Sequence, residues 1–144
     1  MKRHQLLIIL MLFIFNISSF SQRIDTLYYD NAGKGVETKE FASYIGYASY
    51  AKDANFGNRI RVYYADSNTL YMEGSFLSID KYDMTKGAYD GERRAYYKNG
   101  NMMQISNFKN GVQNGETKEY YENGQLQGEF NYKDGIFDNV NISY

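Results

Sequence analysis

The side-chain types that carry most enzyme chemistry are nearly missing from this chain. Its 144 residues hold a single histidine, His4, and no cysteine. His4 lies within the first 21 residues, which have the pattern of a signal peptide, so residues 22–144 contain neither type. Catalysis by an imidazole or a thiol needs these side chains, and so does the usual zinc site. We therefore expect a protein that is not an enzyme and that has no catalytic residues and no cofactor.

The remaining candidates for chemistry are carboxylates. Asp80, Asp83, Asp90 and Glu92 lie close together in the sequence. Their spacing differs from the Asp-x-Asp-x-Asp-Gly pattern of calcium loops, in which oxygen ligands at fixed positions surround the ion. We interpret this stretch as a solvated loop, with calcium binding as the alternative, and we predict no metal site.

Tyrosine is the most abundant side chain suited to binding, with 16 copies. Its rigid apolar ring ends in a polar hydroxyl, which favours its use in binding surfaces. Adjacent residues of a strand point to opposite faces, so in each adjacent pair one ring should pack inward and its neighbour should face outward. A row of outer rings would form a binding surface, or cross-strand aromatic pairs would only stabilise the sheet. The candidate binding residues are Tyr63, Tyr64, Tyr96, Tyr97, Tyr120 and Tyr121.

Four of these tyrosines belong to a 24-residue repeat that covers residues 91–135. Nine identities occur at this spacing without a gap. The residues that are identical to the residue 24 positions later are Gly91, Glu92, Tyr96, Tyr97, Asn99, Gly100, Asn107, Lys109 and Gly111. Such self-similarity is typical of stacked structural units. The repeat therefore predicts the architecture more strongly than any single residue does.

Each repeat unit alternates aromatic and apolar runs with Asn-Gly or Asp-Gly turns. Asn-Gly favours two-residue type I′ hairpin turns, because both residues reach positive φ at little cost. We predict such turns at Asn99-Gly100 and Asn123-Gly124, and slightly longer turns at 109–111 and 133–135. The predicted strands between them are 92–97, 102–108, 116–121 and 126–132. The predicted fold is all-β, an open antiparallel meander of β-hairpin repeats.

The last strand of the clear repeats also indicates which side of the sheet is buried. Side chains alternate between the two faces of a strand. In residues 126–132 the alternation places polar residues on one face and mainly apolar residues on the other. We expect the mainly apolar face to be buried. It consists of Leu126, Gly128, Phe130 and Tyr132.

Residues 136–144 begin a third unit that stops before its own turn. Tyr144 lies 24 residues after Tyr120, so this segment corresponds to the opening strand of a unit. An incomplete unit leaves an edge strand whose backbone groups lack a neighbour on one side. The C-terminal edge is therefore a second candidate for docking.

Residues 22–90 form a less regular β region ahead of the repeats at 91–144. Strand candidates are 24–29, 41–50, 59–64 and 70–76, with a polar loop at 52–58. The Tyr63-Tyr64 pair and Gly74 resemble the tyrosine pairs and Gly128 of the repeats, which indicates a degenerate unit. Degenerate units are expected at the end of a stack. Residues 78–90 would then form an inserted loop.

The first 21 residues have the features of a signal peptide. Lys2 and Arg3 precede an apolar run at residues 6–15, and Ser19 and Ser21 supply the small residues near a cleavage site. The run is shorter than the roughly 20 apolar residues of a spanning helix. We predict cleavage after Ser21, with an uncleaved anchor as the alternative. The protein would then be periplasmic, envelope-bound or secreted, with membrane contact only through the signal peptide before cleavage.

The pattern YYKNG…FKNG and YYENG…YKDG resembles the MORN repeat variants of exported bacterial proteins, some of which are classed as antitoxin-like or immunity-like. The resemblance implies an interaction scaffold that binds rather than catalyses. A protein partner is expected, with an envelope glycan as the second possibility. The alternative function is an immunity or antitoxin partner of a secreted toxin. The weakly acidic chain, with no basic cluster, argues against a nucleic-acid partner.

Overall fold

The described part of the chain forms one sheet of nine antiparallel strands, paired in the order of the sequence. The computed structural model describes residues 22–51 and 57–141. The predicted signal peptide, residues 52–56 of the predicted polar loop and residues 142–144 of the third unit lie outside these ranges. The all-β open meander predicted from the sequence is confirmed. The strands are β1 (Arg23–Tyr29), β2 (Tyr44–Tyr50), β3 (Asn58–Tyr64), β4 (Leu70–Ser78), β5 (Ala88–Tyr96), β6 (Met102–Lys109), β7 (Val112–Tyr120), β8 (Leu126–Lys133) and β9 (Ile136–Asn141).

Two predicted segments in the N-terminal region have wrong boundaries. The strand expected at 41–50 begins at Tyr44, because Lys39–Phe41 forms a 3₁₀ turn that leaves Phe41 72% exposed. The inserted loop expected at 78–90 is shorter at both ends. Phe76 of β4 pairs with Tyr89 of β5, and Ser78 pairs with Ala88, so the two strands extend into the predicted loop. β5 thus spans the predicted boundary between residues 90 and 91, and both regions share one sheet.

The two kinds of turn in the repeat are the reverse of the prediction. Asn110 and Gly111 both have positive φ, and their flanking residues Lys109 and Val112 pair directly. This is the two-residue type I′ geometry, and residues 134 and 135 repeat it. Asn99-Gly100 instead ends a three-residue loop in which only the glycine has positive φ.

In this three-residue loop the asparagine acts through its side chain rather than through a left-handed backbone. The N–H of Tyr97 donates to the carbonyl of Asn101, and the N–H of Gly100 donates to the carbonyl of Tyr97. Asn99 Oδ1 accepts from the N–H of Asn101 at 2.9 Å, which satisfies the turn locally. The same bonds recur at Tyr121, Asn123 and Gly124. The local motif Asn-Gly therefore fits both turns, and strand register decides between them.

Gly135 carries a constraint that Gly124 lacks, and this gives a matched test. Both have positive φ, but a Cβ at Gly135 would lie 2.9 Å from Val112 Cγ1, whereas nothing lies within 4 Å at Gly124. We expect Gly124→Ala to lower the free energy of unfolding by about 1 kcal/mol through backbone strain, and Gly135→Ala to lower it further. Urea denaturation measures both. Equal losses, or an excess that persists when Val112→Ala is added, would contradict the packing argument.

One bulge recurs in the three hairpins that carry tyrosine pairs. In β7–β8, Tyr120 pairs with Leu126 and Glu119 with Gly128, so Gln127 has no partner. Met103 is skipped in the same way in β5–β6, and Tyr71 in β3–β4. The β3–β4 hairpin thus has the bulge of the clear repeat units. A bulge re-aims side chains, here by bringing the skipped residue to one face of the sheet.

The buried core lies against one face of β2–β5, which we call the core face; the opposite side is the outer face. The buried residues of the core are Ala48, Ile60, Val62, Met72, Phe76 and Tyr89. The rings of Tyr44 and Tyr71 pack beside it, 4.6 Å apart between centroids. Burial of these apolar groups is the main stabilising contribution in a chain without cysteine.

Two loops meet over this core, and we call their paired segments, residues 33–35 and 82–84, the clasp. The N–H of Gly35 donates to the carbonyl of Tyr82, and the N–H of Met84 donates to the carbonyl of Gly33, both at 2.9 Å. Lys34 Nζ donates to the buried carboxylate of Asp83 at 2.6 Å. Asp83 also accepts from the N–H and hydroxyl of Thr85. The clasp thereby covers the core face and packs Met84 against the core.

The clasp should make stability depend on acid. The hydrogen bond from Lys34 holds the pKa of Asp83 well below its usual range, followed by the bonds from Thr85. A carboxyl whose folded pKa is depressed stabilises the fold above its unfolded pKa and loses this contribution as pH falls towards the folded value. We expect the free energy of unfolding to fall between about pH 5 and pH 3, measured by chemical denaturation. Asp83→Asn should flatten this slope, and an unchanged slope would refute the assignment.

The expected burial of the face formed by residues 126–132 is wrong. Phe130 and Tyr132 are only half-buried, and no described residue packs over them as the clasp does over β2–β5. In this half of the sheet the deeply buried side chains on the core face are small and polar, Ser106 and Thr117, each about 1% exposed. The repeat half, β6–β9, is therefore a single layer of sheet whose core face the described residues cover only in part.

Candidate binding site

The structure divides the six candidate tyrosines between the two faces of the sheet. By strand register, Tyr63, Tyr96 and Tyr120 belong to the outer face, whereas the second tyrosine of each pair belongs to the core face. Five of the six are half-buried, and only Tyr121 is classed as exposed, at 51%. The structure thus brings them together as two separate rows of three.

In the first two pairs, the second tyrosine links one hairpin to the next. Tyr64 donates its hydroxyl to the carbonyl of Tyr96 at 3.1 Å, and Tyr97 donates to the carbonyl of Tyr120 at 2.8 Å. Burial raises the pKa of Tyr64 to about 12, so its hydroxyl stays protonated as a donor. The residue that would continue this series after Tyr121 is Tyr144, outside the described part of the chain. These hydroxyls act within the protein.

The first tyrosine of each pair makes lateral contacts on the outer face. Tyr96 donates its hydroxyl to Glu73 Oε1 at 3.2 Å, and burial raises its pKa. The ring of Tyr63 meets that of Tyr47 edge-on, with centroids 5.9 Å apart. Both rings line a shallow groove of about 430 Å³ together with Ile24, Arg59 and Arg61. These are the cross-strand contacts that stabilise a sheet.

Further along, the outer face is covered by ion pairs. Lys118 Nζ lies 3.4 Å from a carboxylate oxygen of Glu116 and 3.0 Å from one of Glu129. Arg94 pairs with Glu92 in the preceding strand pair. Exposed pairs of this kind contribute little stability each. The outer face of the repeats is therefore a solvated surface.

The acidic residues singled out in the sequence are each engaged separately. Asp83 belongs to the clasp, Asp80 Oδ1 accepts from the N–H of Tyr82, and Asp90 Oδ1 accepts from the N–H of Asn110. Within residues 22–51 and 57–141, no group of three or more histidine, cysteine, aspartate or glutamate side chains is placed to hold a metal ion. Nor does this part of the chain contain a helix long and apolar enough to cross a membrane.

The core face of the first repeat unit contains a groove that the sequence patterns above did not predict. We call it the core-face groove; its floor is Arg93, Gln104 and Glu119, from β5, β6 and β7. Arg93 Nη2 donates to Gln104 Oε1 at 3.0 Å, and Gln104 Nε2 donates to Glu119 Oε1 at 3.0 Å. The walls include Tyr71, Tyr97 and Met103. The signal for it was polar residues at inward-facing strand positions, where alternation expects apolar ones.

The C-terminal edge of the described sheet is the other candidate surface. Among the described residues, β9 pairs only with β8. Ile136 is 73% exposed and Phe137 is 49% exposed. The ring of Phe137 leans on Tyr132 and Phe130, with centroids 5.9 and 6.4 Å apart. An apolar, partly supported strand therefore forms this end of the sheet.

Comparison with known proteins agrees with the repeat architecture. Residues 89–110 and 113–134 match the family described as MORN repeat variant. The two matches coincide with the β5–β6 and β7–β8 hairpins and start 24 residues apart, as the sequence repeat does. No curated protein and no solved structure matches the chain significantly. Residues 89–134 of this chain thus consist of two repeats that match the MORN repeat variant family.

Proposed function

We propose that this protein is an exported, non-enzymatic binding module that pairs the open C-terminal edge of its sheet with an extended segment of a partner protein. Its MORN repeats indicate a repeat-based binding or scaffold module. The observation that carries the more specific proposal is β9, which ends the described sheet with exposed apolar side chains.

An edge strand is suited to this kind of binding. The backbone N–H and C=O groups along its free edge point away from the neighbouring strand. An extended peptide can therefore add to this edge as a further strand. Main-chain hydrogen bonds would supply affinity, and the exposed side chains of Ile136 and Phe137 would supply apolar contact. The edge therefore offers both components of strand addition.

The repeat shows what a partner would complete. A Cβ at Gly111 would lie 3.1 Å from Ala88 Cβ, and one at Gly135 would lie 2.9 Å from Val112 Cγ1. Each unit thus places its closing turn glycine over the first residue of its own first strand. Ile136 is the next residue in this series, 24 positions after Val112, and remains exposed. A partner strand with a small residue at this point would cover it.

Composition and the N-terminal segment support the other parts of the proposal. Residues 22–144 lack histidine and cysteine, which supports a function without nucleophilic or imidazole catalysis. The signal-peptide pattern of residues 1–21 supports export. An immunity or antitoxin role stays a prediction from the resemblance alone.

The test is capture of envelope proteins by the exported chain, compared with Ile136→Lys. A lysine at an edge opposes further strand pairing. Phe41→Lys is the matched control, because Phe41 is as exposed but lies in the loop between β1 and β2. We expect one partner to bind the parent and Phe41→Lys and to be lost from Ile136→Lys.

Amide hydrogen exchange then locates the contact. Binding of the captured partner should slow exchange in β9, because the outer N–H groups become hydrogen-bonded. No captured partner, retention by Ile136→Lys, or protection only elsewhere in the sheet would refute the edge as the binding surface.

A further inference from the structure

We propose that the core-face groove is a second binding site, which takes a neutral, polyhydroxylated ligand: a short segment of an oligosaccharide. This site is separate from the β9 edge and uses the other end of the repeat pair. Its residues lie on five neighbouring strands, β4 to β8, so the sheet itself fixes their spacing.

The floor of the groove is a hydrogen-bonded chain with a single direction. Arg93 can only donate and a carboxylate can only accept, so the amide of Gln104 between them has one orientation. Arg93 is itself held, because its guanidinium carbon lies 5.1 Å from the ring centroids of both Tyr89 and Phe108. Binding would therefore require little ordering of these side chains, which favours affinity.

Two glycines keep this chain accessible. A Cβ at Gly74 would lie 3.3 Å from Cγ of Arg93, so the glycine lets the arginine lie close against β4. Gly128 pairs with Glu119 and adds no side chain beside its carboxylate. The polar row is thus held close to the sheet by the backbone.

The charge of the floor selects the ligand class. It carries one guanidinium and one carboxylate, joined by an amide, so its formal charge is zero. A phosphate or sulfate group would meet the carboxylate of Glu119, and a cationic group would meet Arg93, each at a cost in like-charge repulsion. A sugar hydroxyl both donates and accepts, so neighbouring hydroxyls can match the alternating donors and acceptors of this row.

The walls supply the apolar part of the site. Tyr71 is held by ring contacts with Tyr44 and Tyr64, at 4.6 and 5.3 Å between centroids, and Tyr97 is held by its bond to the carbonyl of Tyr120. Rigid rings beside convergent polar groups are the usual make-up of small-ligand sites. The groove holds about 270 Å³, just below the usual range of such sites, which suits a short sugar segment.

The experiment is a titration of the ¹⁵N-labelled exported chain with cellohexaose, maltohexaose, xylohexaose and chitohexaose. The side-chain amide of Gln104 reports binding in the parent, and the backbone amides of residues 104 and 119 report it in the parent and in every variant, since both residues line the groove. We expect one of these neutral sugars to shift this signal. Gln104→Leu, which keeps the size but removes the hydrogen bonds, should weaken binding at least about tenfold.

Gln113→Leu is the matched control. Gln113 also has its amide on the core face, bonded to Thr117 Oγ1 at 2.7 Å, but it does not line the groove. It should bind the sugar as the parent does, and melting curves should show both variants folded. No shift with any sugar, equal binding by Gln104→Leu, or a larger shift with trilysine or a sulfated disaccharide would overturn the proposal. None of these outcomes depends on β9, so the edge is judged independently.

Discussion

Replacing Gly35 with alanine should separate the two halves of the clasp and lower the free energy of unfolding by about 2–3 kcal/mol. A Cβ at this position would lie 2.2 Å from the carbonyl oxygen of Lys81 and 2.8 Å from Cα of Tyr82. Both are backbone atoms, so no side-chain rotation relieves the overlap. The loops must move apart, which breaks the bond from Gly35 to Tyr82 and loosens Met84 over the core.

Gly46→Ala is the control for this prediction. Gly46 is a buried glycine in β2, and its added Cβ would meet Leu27, Val62 and Tyr29 at ordinary contact distances of 3.5–3.7 Å. Alanine is preferred over glycine within a strand, so this variant should be neutral or slightly more stable. Urea denaturation of both variants gives the comparison. If Gly35→Ala were as stable as Gly46→Ala, the clasp would not be held by the observed pairing.

Tyr97→Ala should lower the free energy of unfolding by roughly 2 kcal/mol, whereas Tyr121→Ala should change it little. The two residues are equivalent in the repeat, but Tyr97 is half-buried and bonds to the carbonyl of the next unit. Tyr121 is 51% exposed. Their different surroundings, rather than their chemistry, predict the difference.

Tyr97→Phe separates the contribution of the Tyr97 hydroxyl to stability from that of its ring. Loss of the hydroxyl alone should cost about 1 kcal/mol, since the carbonyl of Tyr120 loses its 2.8 Å partner. Thermal and urea unfolding of the three variants provide the measurements. Equal destabilisation by Tyr97→Ala and Tyr121→Ala would mean that the hydroxyl bond between units contributes no specific stability. The comparison also matters for binding assays, because a Tyr97 variant that fails to bind must first be shown to be folded.

The repeat made most of the fold predictable. Its 24-residue spacing, with strand-length runs between Gly-containing turns, indicated an antiparallel meander, because each short run can pair only with its neighbour. The same residues carried the resemblance that the family match at residues 89–134 supports. The turn types were not predictable. Asn-Gly satisfies both a type I′ turn and a three-residue loop, and the register of β5 on β6 and of β7 on β8 selects between them.

Only part of the candidate site could be predicted from the sequence. The tyrosine pairs stood out because of their spacing, and strand alternation correctly separates each pair between two faces. Alternation could not show that Tyr64 and Tyr97 end on backbone carbonyls of the next unit. Nor could it show that the polar residues at inward-facing positions meet in one groove. Arg93, Gln104 and Glu119 lie 11 and 15 positions apart in sequence and meet only because three strands pair in one register.

The sequence alone therefore determined the all-β class, the strand order and the repeat unit of this protein, since these depend on local spacing and turn chemistry. The tertiary structure decided which surfaces are covered and which are open. The clasp covers β2–β5 through contacts between Lys34 and Asp83, 49 residues apart, and leaves the repeat half uncovered. Burial is a property of such distant contacts, and a local pattern in the sequence carries no information about them.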